Sequence, residues 1–445
     1  MTYSALWFSQ LQFFGSLSFM LVFFAMELGL SWLLLFYRIR AMSGPHSVWV
    51  SAYRFWVRVF ALAFILSFAS SLPVLIQLGS IWPNLIVKIG EVSGPIFTVG
   101  MLSAFVFKSC FLGAMLFGYR SMPAWLHSLA VFLVAVGNTF TAACFVALVS
   151  WMHVPTGATL NEGLYEVEQW EQVLLNPAFA WYFAQFVCAS LMAASCFVVG
   201  VTAAKALGRP CDESERRVFR LGLWVMILAV VGLAVAVVGN GLMVAEHQPY
   251  KAAATAGYWI SNEAPRFLWF AIPFGTELKN LFALGWTGGE VWLSRDAEGQ
   301  LIGLDQSAGM LPPVALVFYA FRLAALLGLV LLGSAIYSLW KSSSQHYDAA
   351  ALPLGWRRYL SWQACGGWLL LIAGLAYQLF GALPYVVYGT TTISEVFANN
   401  AFNHVLAGLL AYVVVYTFCL AGFFLLIRYI TRHGVVPVAR RRGRA

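Results

Sequence analysis

Charge is scarce in this chain. Only 10% of its 445 residues are Asp, Glu, Lys or Arg, against 61% hydrophobic residues and a mean hydropathy of +0.79. So few charges cannot solvate the surface of a water-soluble protein of this length, which excludes that class. Histidine is absent where a membrane metal centre needs it, because none of the seven stands in the middle of a long apolar run. The seven cysteines form no CxxC or CxxCH, which removes c-type haem attachment and the usual zinc and iron–sulfur spacings. Cysteines 110, 144, 188, 196, 211, 365 and 419 read instead as small apolar packing residues. No repeat of solenoid period occurs, and the only low-complexity segment is an arginine-rich tail.

What the chain has is long apolar stretches. A helix needs about 20 such residues to cross a bilayer, and runs of that kind fall near 13–36, 56–79, 97–117, 125–150, 179–203, 221–244, 314–340, 362–380 and 405–430. They are continuous and lack the period-2 alternation of a membrane β-barrel. The expected fold is an all-α polytopic membrane protein, with nine transmembrane helices in one membrane domain over 1–445. With the N-terminus outside, 19 of the 26 Lys and Arg residues fall on the inner side and five outside, leaving Lys108 and Arg322 within spans. The positive-inside rule then places the N-terminus outside and the C-terminus in the cytoplasm of the cell's inner membrane. The basic tail at 431–445, with Arg440, Arg441, Arg442 and Arg444, directly follows a span; it reads as a lipid-headgroup contact rather than a nucleic-acid patch. The first span has an uncharged start and no small-residue cleavage site, which argues against a cleaved signal peptide.

Two outside loops are long. Segment 151–178 carries Glu162, Glu166, Glu168 and Glu171 with no basic residue, and segment 245–313 is the longest soluble part. Loops of this length in a compact protein are usually functional. Inside the spans stand Glu27, Lys108 and Arg322, each costing a few kcal/mol at mid-bilayer unless paired. Counted at about 1.5 Å per residue, Glu27 and Lys108 lie at similar depths and pair if their helices touch. A proton or substrate relay and a structural ion pair both fit this arrangement. Asn138, with Thr139 and Thr141, reads as an interhelical hydrogen-bonding cluster. His127 and His404 sit at span ends, His153 and His247 in outside loops, and His46, His346 and His433 on the inner side.

Short motifs in a fixed order carry a resemblance. Leu11-Gln12-Phe13 opens span 1, Phe55-Trp56 opens span 2, and Gln77-Leu78-Gly79-Ser80-Ile81-Trp82 ends it. His127 and Gly137-Asn138 lead to Trp151-Met152-His153-Val154-Pro155, and Leu175-Asn176-Pro177 precedes span 5. Phe274 closes a Phe-Ala-Ile-Pro-Phe stretch, Tyr319-Ala320-Phe321-Arg322 lies in span 7, and Gly381-Ala382-Leu383-Pro384 follows span 8. With nine spans and a long outside loop after the sixth, the chain resembles subunit I of the cytochrome bd oxygen reductases over nearly its whole length.

That resemblance implies three haems, quinol oxidation at the loop after span 6, and reduction of oxygen to water. The ligands do not carry over. The span 1 His, seven residues past Leu-Gln-Phe, falls on Met20; the span 5 His, eight residues past Leu-Asn-Pro, falls on Gln185. The Met two residues past the span 7 Arg falls on Ala324. The family's span 3 carboxylates fall near Val99 or Gly100 and on Lys108, and its span 8 carboxylate near Ile372. In the quinol loop the family's Lys is matched by Lys251, but the Glu five residues later is Ala256, with Glu246 and His247 nearby.

The resemblance therefore implies a membrane subunit without haem of its own, possessing no catalytic or metal residue. Such a subunit would support a haem-bearing subunit I partner (haem b/d) in quinol oxidation and oxygen reduction, with quinol a possible ligand at Lys251. Two other readings stay open. One is an active haem-bearing subunit of a divergent subtype. The other is a transporter or quinone-binding protein in which Glu27, Lys108, Arg322 and Asn138 line a polar path.

Overall fold

A computed structural model describes residues 2–42, 48–119, 121–274, 277–285 and 288–433. The Arg440–Arg444 cluster, His46 and Arg120 lie outside the described residues. Among those described, nine helices are long and apolar enough to cross a membrane: Ala5–Ala41, Val48–Ser80, Gly90–Phe117, Ala124–His153, Trp170–Lys205, Glu213–His247, Val314–Ser343, Leu354–Ala382 and Phe402–His433. These are spans 1 to 9. Each covers its expected stretch and overruns it, because a helix continues past the hydrocarbon boundary until a capping group or a proline stops it. Pro123, Pro313 and Pro353 precede spans 4, 7 and 8. Span 6 starts with a capping box, in which the Asp212 side chain accepts from the Glu215 backbone N–H and Glu215 reaches back.

Spans 1 and 5 form the centre of the bundle, and spans 3 and 9 its margin: 83% of the apolar window of span 1 is buried, against 11% for span 9. Without water between them, membrane helices associate by close packing, which favours small residues at the contact. Gly29 of span 1 is such a place, since a Cβ there would lie 2.2 Å from the Ser190 carbonyl oxygen of span 5. Gly367 of span 8 meets Ala193 in the same way. Around this contact Phe23, Trp56, Phe60, Phe197, Trp368 and Phe423 form the largest apolar cluster.

Among the described residues, the β-strands form three two-stranded antiparallel hairpins between spans, which hydropathy does not announce. Ala158–Asn161 pairs with Leu164–Val167, Arg266–Phe274 with Glu277–Gly285, and Tyr385–Val387 with Thr391–Thr392. The first hairpin turns through Glu162 and Gly163, both with positive φ. All three follow even-numbered spans or precede odd-numbered ones, so they gather at the end of the bundle opposite the basic end. There Tyr165 donates or accepts hydrogen bonds with Thr390 and Thr391, joining the first hairpin to the third.

Candidate functional site

The segment after span 6 begins later than its sequence pattern suggests. Ala245, Glu246 and His247 belong to the last turn of the span, and a short helix, Pro249–Ala256, follows at once. Gln248 donates to the His153 carbonyl at 2.9 Å and turns the chain so that the short helix lies against the bundle. Lys251 on that helix is fully buried and faces inward. Its stem fills the space beside Gly381, where a Cβ would stand 2.8 Å from the lysine Cε.

The Lys251 ammonium donates to Gln378 Oε1 at 2.5 Å and lies 4.8 Å from the centre of the Tyr377 ring. Burial pushes its pKa from the ordinary 10.5 down to about 7. Gln378 Nε2 in turn donates to Gln185 Oε1 at 3.2 Å, and Gln185 Nε2 donates to the Ala236 carbonyl at 3.2 Å. One continuous polar chain thus runs from the loop helix through span 8 to span 5 and ends on span 6. Gln378 carries no signal of its own in the sequence; the small residue at Gly381, three positions on, was the available hint.

The three quinol-loop candidates do not converge. Lys251 is buried, whereas the Glu246 side chain is 75% exposed and stands 3.9 Å from His247 Nε2. His153, expected in a loop, is instead the last residue of span 4 and buried. Its Nδ1 faces the Val149 carbonyl at 2.8 Å and its Nε2 the Gln378 carbonyl at 3.0 Å. His127 is buried as well, with Nε2 near the Met115 carbonyl and the Tyr53 hydroxyl.

Of the intramembrane charges, Lys108 and Glu27 meet, with Nζ 2.9 Å from Oε1 and both side chains almost wholly buried. Lys108 occupies a π-helical stretch, Ala104–Ser109, within span 3. The widened turn is a frequent feature of functional sites. Phe24 and Phe64 flank the ammonium at 4.9 and 5.6 Å from their ring centres. Arg322 stands apart from this pair and binds backbone: Nε and Nη2 donate to the Leu268 carbonyl at 3.0 and 2.8 Å, and Nη1 to Thr255 and Phe318. It therefore ties the long hairpin and the short loop helix to span 7.

Asn138 departs from its expected role. It is fully buried, yet neither amide atom has a hydrogen-bond partner among the described residues. The interhelical bonds go to its neighbours, Thr139 accepting from Trp32 Nε1 and Thr141 sharing with Ser103. Met20 packs beside an apolar cluster of Leu17, Leu21, Phe24 and Leu28. Ala324 packs beside another, which includes Leu331 and Leu370. Among the described residues, no group of three or more His, Cys, Asp or Glu is placed to hold a metal ion.

Fold and site together define a multi-pass helical membrane protein with a loop-capped polar chain at one end of its bundle. The chain belongs to the cytochrome bd terminal oxidase subunit I family, whose model matches residues 8–435. It is 25% identical to cytochrome bd ubiquinol oxidase subunit 1 of Bacillus subtilis (strain 168) over 97% of this chain and 96% of that one. It is 27% identical to cytochrome bd-II ubiquinol oxidase subunit 1 of Escherichia coli (strain K12) over 59% of this chain and 52% of that one. The fold matches the structure of bd oxidase from Geobacillus thermodenitrificans with a TM-score of 0.83 at 19% identity, covering 97% of this chain and 99% of that chain.

Proposed function

We propose that this chain is a haem-free member of the family, seated in the inner membrane with its N-terminus outside and its C-terminus cytoplasmic. In this role it supports a haem-bearing subunit I partner that oxidises quinol and reduces oxygen. The carrying observation is the polar chain Lys251–Gln378–Gln185. At the position where the resemblance puts a haem-ligating His, Gln185 spends both ends of its amide on hydrogen bonds to protein. The chain leads on to the buried Lys251.

The residues present do not fit an iron porphyrin. Gln185 offers no imidazole, Ala324 has no donor atom, and the Met20 thioether alone is a weak ligand. Both nitrogens of His153 are turned to backbone carbonyls. Lys108, at the position of a family carboxylate, carries the opposite charge and is held by Glu27. The exposed apolar faces of spans 3 and 9, including Phe105 and Phe418, supply membrane-embedded surface for a partner. The 19-to-five distribution of basic residues supports the orientation.

Purification of the chain alone and with its co-purifying subunits, followed by reduced-minus-oxidised visible spectra, tests the reading. The expected result is no α band from the isolated chain and clear bands from the complex. Bands from the isolated chain would establish an active divergent subunit instead. Failure to co-purify with any haem-bearing subunit would favour a transporter built on the same scaffold.

A further inference from the structure

At the basic end of the bundle, opposite the hairpins, spans 1, 2 and 6 and the segment between spans 7 and 8 enclose a groove of about 730 Å³. Its lining carries four arginines, Arg40 from span 1 and Arg216, Arg217 and Arg220 from span 6, against one carboxylate, Glu213. Two of these are neutralised within the protein, Arg217 by Glu213 at 2.5 Å and Arg216 by Asp348 at 2.8 Å. Arg220 is different. Among the described residues its guanidinium has only an aromatic partner, stacked 4.4 Å from the centre of the Tyr347 ring. Stacking uses the face of the guanidinium and leaves its N–H edges to donate, the geometry that binds a phosphate in bidentate fashion.

The ring beneath Arg220 is held there at a cost. His346 and Tyr347 are consecutive non-glycine residues with φ of 54° and 60°, in the left-handed region that side chains disfavour. Both line the groove.

Below the arginines the same helix face turns apolar. From Arg217, positions 221, 224, 228, 231, 235 and 238 recur at helical spacing, so they form one stripe. Trp224, Leu228, Val231, Val235 and Val238 are all exposed on it. From Trp224 to Val238 the track is roughly 21 Å long at the helical rise. That is a hydrophobic path continuous with a cationic pocket, with an interfacial tryptophan at the junction. A soluble phosphate would use the pocket alone, whereas an amphiphile uses both.

We propose that this groove seats an anionic phospholipid, its phosphate held by Arg220 and Arg40 and its acyl chains laid along the Trp224–Val238 stripe. The site lies at the end of the bundle opposite the Lys251 chain and does not depend on whether this subunit carries haem.

The test uses the full chain in detergent, with any subunits that co-purify, stripped of lipid and titrated with dioleoyl-phosphatidylglycerol, dioleoyl-phosphatidylcholine or inorganic phosphate. Bound lipid is counted by native mass spectrometry. Phosphatidylglycerol is expected to bind in preference to phosphatidylcholine, and Arg220→Gln to weaken it roughly tenfold through loss of a charge-assisted bidentate contact. Lys341→Gln, an exposed basic residue on the same side, should leave binding unchanged. If Arg220→Gln does not fold, Arg40→Gln and Trp224→Ala carry the same expectation. Equal retention of the two lipids, or folded variants with unchanged binding, would overturn the proposal. So would displacement of the lipid by millimolar inorganic phosphate, which would make the groove a site for a soluble anion.

Discussion

Lys108 and Glu27 stand 2.9 Å apart, a lysine on a π-helical turn of span 3 against a carboxylate at the centre of span 1. Glu27 is wholly buried, and apart from the ion pair neither of its oxygens has a hydrogen-bond partner among the described residues. The pair therefore gains little beyond its Coulombic attraction. Removing one member strands a buried charge, which typically costs about 3–5 kcal/mol. Glu27→Gln is expected to lower the Tm of the purified protein sharply, and adding Lys108→Met to restore part of the loss. Additive effects of the two substitutions in thermal unfolding would show that the pair does not couple.

Lys251 makes stability depend on pH. Its pKa falls from 10.5 to about 7 on burial, so between those values the unfolded chain holds a proton that the folded chain has released. Stability then rises with pH across that window, by at most about 1.4 kcal/mol per pH unit. Below about pH 7 the full cost of burying the ammonium is present. Lys251→Met should be relatively stabilised at pH 7 and lose this slope. Gln378→Glu, which puts a carboxylate against the ammonium, should flatten the slope by holding the lysine charged. Tm measured from pH 7 to 10 for the three proteins decides it, and parallel curves would rule the account out.

Arg322 holds the loop after span 6 by its planar fork, with two donors on the Leu268 carbonyl and others on Thr255 and Phe318. Lysine keeps the charge but cannot reproduce that geometry. Arg322→Lys should free the loop at a cost of about 1.5–3 kcal/mol per charged hydrogen bond lost. The readout is faster limited proteolysis within 257–313 while the spans stay protected. An unchanged cleavage rate would mean the loop is held by other contacts.

Gly29 sets the distance between the two central spans. With the Ser190 carbonyl 2.2 Å from where a Cβ would sit, Gly29→Ala must push backbone rather than a flexible side chain. A loss of about 1–3 kcal/mol is expected, as for overpacked cores. Gly374→Ala, with open space at its Cβ position, serves as the neutral comparison on span 8. Equal Tm values for the two variants would contradict this packing.

Nine apolar stretches, the long segment after the sixth, and the charges within spans at 27, 108 and 322 were all legible in the sequence. Hydropathy is a local property, and a backbone in hydrocarbon has only the helix in which to satisfy its own hydrogen bonds. The resemblance to bd-type subunit I was legible for a similar reason, since short motifs survive in order where helix ends and loops keep their places. The hairpins were not legible, because their strands lie in segments with no strong alternation. Nor was the orphaned Asn138, since its Thr neighbours on the same helix found interhelical partners and it did not.

The sequence by itself determined that this chain spans a membrane, how often, and which charges it must bury. Only the tertiary structure decided where those charges go, and that Lys251 of the loop is buried as well. Lys108 finds Glu27 across helices 81 positions apart in number, and Lys251 turns inward to Gln378 and Gln185 instead of outward toward Glu246. The reason is geometric. Burying a charge is a requirement each helix carries alone, but the partner that satisfies it is set by which faces meet, and small residues such as Gly29 and Gly381 let those faces close.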